Sequence, residues 1–235
     1  MGGTNFQFKQ FAVYHNRCAM KVGTDGVLLG AWADVGRAKS VLDIGTGSGV
    51  IALMVAQRSK ADVVGVEIDQ EAFSQACENY ACSPWSPRLK AVCADITTYT
   101  HDAAFDAILS NPPFYRNGLG AKSAQRSMAR MEACLPYSQL IAATVRLLKD
   151  RGDFFVVLPF DEAEHFSYQC WEQGLQLRRR TDVCTKVGKR AKRVLLHYVK
   201  GEGADISRNT LFIQAETGDY TEMYRQLVGD FYLKM

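Results

Sequence analysis

The sequence predicts an α/β fold: a doubly wound, mostly parallel sheet of seven strands whose last two form an antiparallel hairpin. Three observations predict it. Strand-like and helix-like segments alternate along the chain. The strand-like segments are apolar throughout rather than at every second position, as a parallel sheet covered on both faces requires. The first of them runs into a glycine-rich turn that opens a helix. Right-handed crossovers between such strands wind helices onto both faces.

Taken in order, residues 5–32 read as an extension packed on the core. Residues 40–44 (Ser-Val-Leu-Asp-Ile) form the first strand and 49–58 its helix. Residues 62–67 form the second strand and 70–80 the next helix; 88–93 and 105–110 are the third and fourth strands. Residues 137–149 predict a helix, because Leu140, Ile141, Val145 and Leu148 recur at helical spacing. Residues 152–158 are the fifth strand. Residues 175–184 and 193–200 are the last two, joined by a short basic loop that favours a hairpin. Leu211-Phe212-Ile213 and a helical patch over 220–227 close the chain. One domain is expected over 1–235: an N-terminal extension (1–35), a catalytic core (36–200) and a C-terminal tail (201–235).

The chain has 235 residues, 47% hydrophobic and 23% charged, with a net charge of +3. These values are ordinary for a globular protein and say little about partners. No apolar run reaches the length of a membrane span, and residues 1–11 lack the apolar core of a signal peptide. Phe6 stands where a myristoylation signal wants Ser or Thr. A cytoplasmic, non-membrane protein is expected. The 7 cysteines contain no Cys-x-x-Cys pair. His15 and Cys18 have ligand-like spacing but no second pair, so no metal is expected, and the thiols are expected to be reduced and mostly buried.

Gly45, Gly47 and Gly49 follow the first strand, where glycine permits a sharp turn and close approach of a ligand. The following helix offers unpaired N–H groups at its start. Glu67 ends the second strand, where a carboxylate would accept ribose hydroxyls. Val50 replaces the last glycine of the dinucleotide fingerprint, which departs from a nicotinamide site and favours S-adenosylmethionine. Asp95, after the third strand, has two readings: an acceptor for the cofactor's adenine amino group, or a helix cap before Ile96.

Asn111-Pro112-Pro113-Phe114 follows the fourth strand. An amino group attached to an aromatic ring is a poor nucleophile, because its lone pair is delocalised. The Asn111 side-chain oxygen and the Pro112 carbonyl would accept both N–H groups and favour a pyramidal nitrogen. Consecutive prolines fix where that carbonyl points, and Phe114 would stack on a base. An amide nitrogen of a protein side chain presents the same pattern. Arg178, Arg179, Arg180, Lys186, Lys189, Arg190, Lys192 and Arg193 crowd into sixteen residues with Asp182 as the lone acid. That run is either a phosphate-binding edge or a solvated charged face. Arg116 and Lys122 flank a polar loop placed to close over a substrate.

The glycine turn 43–49 and the tetrad 111–114 resemble class I S-adenosylmethionine-dependent amino-methyltransferases. The stretches 8–11 (Phe-Lys-Gln-Phe) and 18–32, from Cys18 through Lys21-Val22-Gly23-Thr24-Asp25 to Trp32, resemble the bacterial valine tRNA adenine-N6 methyltransferase family more specifically. The similarity runs to Asp230-Phe231-Tyr232. The resemblance implies that residues 21–25 fold over the cofactor, with Thr24 and Asp25 near its methionine end. It implies Asp43, Gly45 and Glu67 in the cofactor site and Asn111 as the catalytic acceptor of an adenosine beside the anticodon. A monomer that binds tRNA is expected. Phe114, where the family often has tyrosine, keeps two alternatives open: guanine-N2 methylation of ribosomal RNA and N5-methylation of protein glutamine.

Overall fold

A computed structural model describes residues 4–113, 135–203 and 205–234. The elements run β1 (Asn5–Gln7), β2 (Ala12–Tyr14), α1 (Thr24–Trp32), β3 (Ser40–Ile44), α2 (Val50–Arg58), β4 (Asp62–Glu67), α3 (Gln70–Ala81), β5 (Leu89–Cys93) and β6 (Phe105–Ser110). They continue as α4 (Tyr137–Leu147), β7 (Leu148–Pro159), α5 (Ala163–Glu172), β8 (Leu175–Lys186), β9 (Ala191–Lys200), β10 (Ser207–Gln214) and α6 (Glu222–Val228). The main sheet has the order β10-β8-β9-β7-β6-β3-β4-β5. β7, β6, β3, β4 and β5 are mutually parallel; β9 is antiparallel to β7 and to β8.

Strand residues divide alternately between two apolar layers, which explains the unbroken apolar runs. In β7, Phe155 and Val157 face one layer, while Phe154, Val156 and Leu158 face the other. α1, α2, α3 and α6 supply the first layer through residues such as Leu28, Met54, Tyr80 and Tyr224. α4 and α5 supply the second through Leu140, Ile141, Phe166 and Cys170.

Four expectations change. The sheet has eight strands rather than seven, because 211–213 is the inner half of β10, which pairs in parallel with β8. The segment read as a tail therefore supplies a sheet edge. Leu148 and Lys149 belong to β7 rather than to the preceding helix, since Leu148 turns extended and pairs with Phe105. Two helices went unread. α5 carries a sparse stripe of Ala163, Phe166 and Cys170, and α1 is buried from Gly26 to Trp32 with no polar face to mark it. The thiols are not mostly buried: Cys77, Cys82 and Cys93 are exposed, and only Cys170 and Cys184 are buried among the described residues.

The chain ends close on each other. Phe8 forms a bridge with Tyr232, and the Lys9 amide donates to the Phe231 carbonyl at 2.8 Å. Phe8 is fully buried and stacks on Phe11 with ring centroids 4.6 Å apart. Truncating it to alanine would cost about 3–5 kcal/mol. This closure holds the N-terminal segment against the core as it runs toward the site.

Candidate active site

Ile44 of β3 pairs with Val66 of β4 on one side and with Ser110 of β6 on the other. The next residues in each strand are Gly45, Glu67 and Asn111, so the register alone brings a glycine turn, an acid and a carboxamide to one edge. β3 and β6 are also where the sheet reverses its winding, the place where open α/β sheets bind ligands.

The glycine turn is pinned from below and open above. The amides of Gly45 and Thr46 donate to the Val66 carbonyl at 2.9 and 3.1 Å. Gly45, Gly47 and Gly49 all have positive φ (70°, 55° and 84°). A Cβ added at Gly45 or Gly47 would meet none of the described residues within 4 Å, so among them this face of the turn is open to a ligand. Glu67 braces the turn: one carboxylate oxygen accepts from the Gly47 amide at 2.8 Å, the other from Ile68 and Asp69 at 2.9 and 3.0 Å. Ile68 beside it is 65% exposed, an apolar surface next to Glu67.

Asp43, one row deeper in β3, is buried. Thr46 donates its hydroxyl to Asp43 Oδ2 at 2.5 Å, while Oδ1 makes no close hydrogen bond among the described residues. Burial pushes this carboxyl up to about 7; the Thr46 hydroxyl and the Ala52 amide pull the other way, and Glu67 adds to the rise. Cys18 lies near the same acids: burial first, then the charges of Glu67 and Asp69, raise its thiol to about 11.

Asn111 leaves β6 beside this turn. Its Oδ1 is buried without a hydrogen-bond partner among the described residues. Such an oxygen costs about 1–3 kcal/mol unless a ligand meets it. Ser110 ties the strand end to β3 by donating to the Ile44 carbonyl at 3.0 Å. A Cβ on Gly26 of α1 would lie 3.8 Å from Asn111 Nδ2, so α1 walls the carboxamide on one side. Pro112 is buried behind it. Phe114, Arg116 and Lys122 lie outside the described residues.

The remaining expected site residues are placed as follows. Lys21 and Thr24 are exposed at the start of α1. Asp25 accepts from Arg193 Nε at 2.8 Å. Asp95 is exposed, and its Oδ1 accepts from both the amide and the hydroxyl of Thr97 at 2.8 Å, but residues 96–98 form a turn rather than the helix that the capping reading expects. Those two bonds hold its carboxyl below the usual carboxylate range.

The basic run requires correction. Arg180 is buried and paired with Glu164 and Asp182. Arg179 lies 3.7 Å over the Trp32 ring and donates to the Trp32 carbonyl. Neither belongs to an exposed basic face, because their side chains point between elements to close α1 and α5 onto the sheet. Arg190 pairs with Asp161. Lys186, Lys189 and Lys192 remain without an ion pair among the described residues, near the hairpin tip at the carboxyl end of β7; Arg178 lies near the opposite end of the strand.

Sequence reasoning missed Thr46, Asn79 and Tyr80. Thr46 sits inside the glycine motif and carried a visible signal. Tyr80 is one of the apolar positions of α3, and nothing in the sequence separates it from ordinary core.

An open glycine turn, a braced carboxylate and an unpaired buried carboxamide on adjacent strands can hold a nucleoside cofactor and a flat amine side by side. The architecture is that of a class I methyltransferase. It matches a predicted O-methyltransferase of Agrobacterium tumefaciens with a TM-score of 0.70 at 21% identity, covering 88% of this chain and 96% of that one. It also matches the N-methyltransferase NodS of Bradyrhizobium japonicum in complex with S-adenosyl-L-homocysteine (TM-score 0.54, 19% identity, 74% and 84% covered). Residues 20–168 match the methyltransferase small domain. Over nearly full length the chain is 45% identical to the tRNA1(Val) (adenine(37)-N6)-methyltransferase of Phocaeicola vulgatus, with 98% of each chain covered. It is 43% identical to that of Trichodesmium erythraeum, with 100% of each covered. The chain belongs to the tRNA1(Val) (adenine(37)-N6)-methyltransferase family.

Proposed function

We propose that the protein transfers a methyl group from S-adenosylmethionine to the exocyclic N6 of adenosine 37, beside the anticodon of a valine tRNA. The observation that carries this reading is the buried, unpaired Oδ1 of Asn111 one register step from the glycine turn. S-adenosylmethionine, when bound, supplies an electrophilic methyl group. The open faces of Gly45 and Gly47 and the Gly49 start of α2 receive the cofactor, Glu67 takes its ribose hydroxyls, and Lys21, Thr24, Asp25 and Asp43 line its methionine end. Asp95 is assigned to the adenine edge, with Ile68 against the ring.

Asn111 Oδ1 and the Pro112 carbonyl accept the two N–H groups of the target adenine. That pairing satisfies the orphaned oxygen and frees the nitrogen lone pair. No strong base is required, because the proton leaves after transfer. Positioning supplies most of the rate effect. Phe114 is assigned to stack on the base. An anticodon-loop base is already partly unstacked, so extruding it costs less than from a duplex. Lys186, Lys189 and Lys192 contact phosphates.

The chain acts as one methyltransferase domain, a monomer working in the cytoplasm. Among the described residues no helix is long and apolar enough to cross a membrane. The test is incubation with labelled S-adenosylmethionine and tRNA from a strain lacking the gene, followed by nucleoside analysis. N6-methyladenosine in valine tRNA is expected. Label confined to guanosine or to protein would overturn the assignment.

A further inference from the structure

We propose that Asn79 and Tyr80, neighbours near the end of α3, are positioning residues that shape the glycine turn for its cofactor, and that Asn79 couples that shape to the N-terminal segment.

The glycine turn has two kinds of residue. Gly45 and Gly47 open outward. Thr46 and Ser48, between and after them, point inward and are buried. α3 grips both. The Tyr80 hydroxyl lies 2.9 Å from Thr46 Oγ1. Since Thr46 already donates to Asp43, Tyr80 is the donor in this contact, and the chain runs Tyr80 to Thr46 to Asp43. Asn79 Nδ2 donates to the Ser48 carbonyl at 2.8 Å.

The fit under the turn is steric as well as polar. A Cβ on Gly49 would lie 2.4 Å from the Tyr80 ring, and one on Gly65 would lie 2.5 Å from its hydroxyl. The tyrosine occupies the space that two glycines leave, so ring and turn cannot move independently. Tyr80 is 3% exposed and Asn79 is 1% exposed.

Asn79 has a second task. Its Nδ2 also donates to the Tyr14 carbonyl at 2.8 Å, and its Oδ1 accepts from the Tyr14 amide at 2.9 Å. One carboxamide therefore joins β2 to the turn, with both donors and its acceptor engaged. The chain leaving Tyr14 runs past Cys18, close to Glu67 and Asp69, toward Lys21. Order in the turn and order in this segment share one hinge point, so a ligand that stabilises one stabilises the other.

This inference rests on the cofactor reading above. The test is titration calorimetry with S-adenosylhomocysteine on wild type and Tyr80→Phe, with steady-state kinetics on tRNA. The phenylalanine keeps the ring under Gly49 and Gly65 and removes only the hydroxyl. We expect the dissociation constant to rise about tenfold and kcat at saturating cofactor to stay within about twofold. A lowered melting temperature with unchanged affinity would make Tyr80 merely structural and overturn its role. In wild type, S-adenosylhomocysteine should slow exchange of the neighbouring His15 amide proton, which donates to the Thr4 carbonyl rather than to Asn79, and in Asn79→Ala this protection should vanish. Equal protection in both would overturn the coupling. If wild type itself bound no S-adenosylhomocysteine, the cofactor reading and this inference would fall together.

Discussion

Arg193 Nε donates to Asp25 Oδ2 at 2.8 Å, joining the start of β9 to the first turn of α1 across 168 positions of sequence. Both side chains are about three-quarters buried (28% and 26% exposed). Arg193 thus holds the helix whose Gly26 walls Asn111, a placement that suits support of the proposed methyl-transfer site rather than an RNA surface. Arg193→Ala should weaken S-adenosylhomocysteine binding roughly fivefold or more while leaving the salt dependence of tRNA binding unchanged. Calorimetry and filter binding at several salt concentrations check this. A flattened salt slope with normal cofactor affinity would return Arg193 to the RNA face.

Lys186, Lys189 and Lys192 make the opposite prediction. They keep their charges near the hairpin tip, while acids from other elements neutralise their neighbours. Replacing all three by alanine should lower the slope of log K against log salt by about 2, since each phosphate contact on single-stranded nucleic acid contributes roughly 0.7. Cofactor affinity should not change. An unaltered slope would mean that these lysines are simply solvated.

Asn111→Ala removes a buried carboxamide oxygen that has no hydrogen-bond partner among the described residues. On the proposed reading the cofactor is held by Glu67 and the glycine turn, so affinity for S-adenosylhomocysteine should stay within about twofold. Turnover should fall by about 10²- to 10³-fold, the usual loss when a positioned polar group is removed from a reacting centre. Rapid-quench measurement of a single turnover separates chemistry from product release. Parallel loss of binding and turnover would place Asn111 in the cofactor site alone.

What the sequence could disclose depended on range. Each central strand announces itself, because both faces are covered and its run is mostly apolar. β10 does not. Its outer residues Ser207 to Thr210 are exposed, and an edge strand needs only a few buried side chains. The glycine turn, Glu67 and Asn111 were legible because each is a local pattern at a strand end. The pairings that arm them were not. Asp25 with Arg193, Ser48 with Asn79 and Thr46 with Tyr80 are contacts between residues 31 to 168 positions apart. The basic run misled for the same reason. Counting charge along 178–193 cannot reveal that Glu164, Asp161 and Asp25 arrive from other elements.

Asp43 makes stability depend on pH. Burial raises its carboxyl from 3.8 to about 7 in the folded protein. The folded state therefore holds a proton that the unfolded state releases between those values. Stability from this group is fully present below pH 3.8 and is lost as pH climbs through about 7. At about 1.4 kcal/mol per pH unit the upper bound is roughly 4 kcal/mol. Asp43→Asn keeps an oxygen to accept from Thr46 and removes the titration. Thermal unfolding of the cofactor-free proteins at pH 5 and pH 8 should show the variant gaining on wild type as pH rises. The same substitution should weaken cofactor binding at pH 8, because a neutral amide replaces a carboxylate at the methionine end. A difference in melting temperature that is flat across this range would mean that Asp43 is already ionised at pH 5, and that the Ala52 amide and Thr46 stabilise its charge more than burial opposes it.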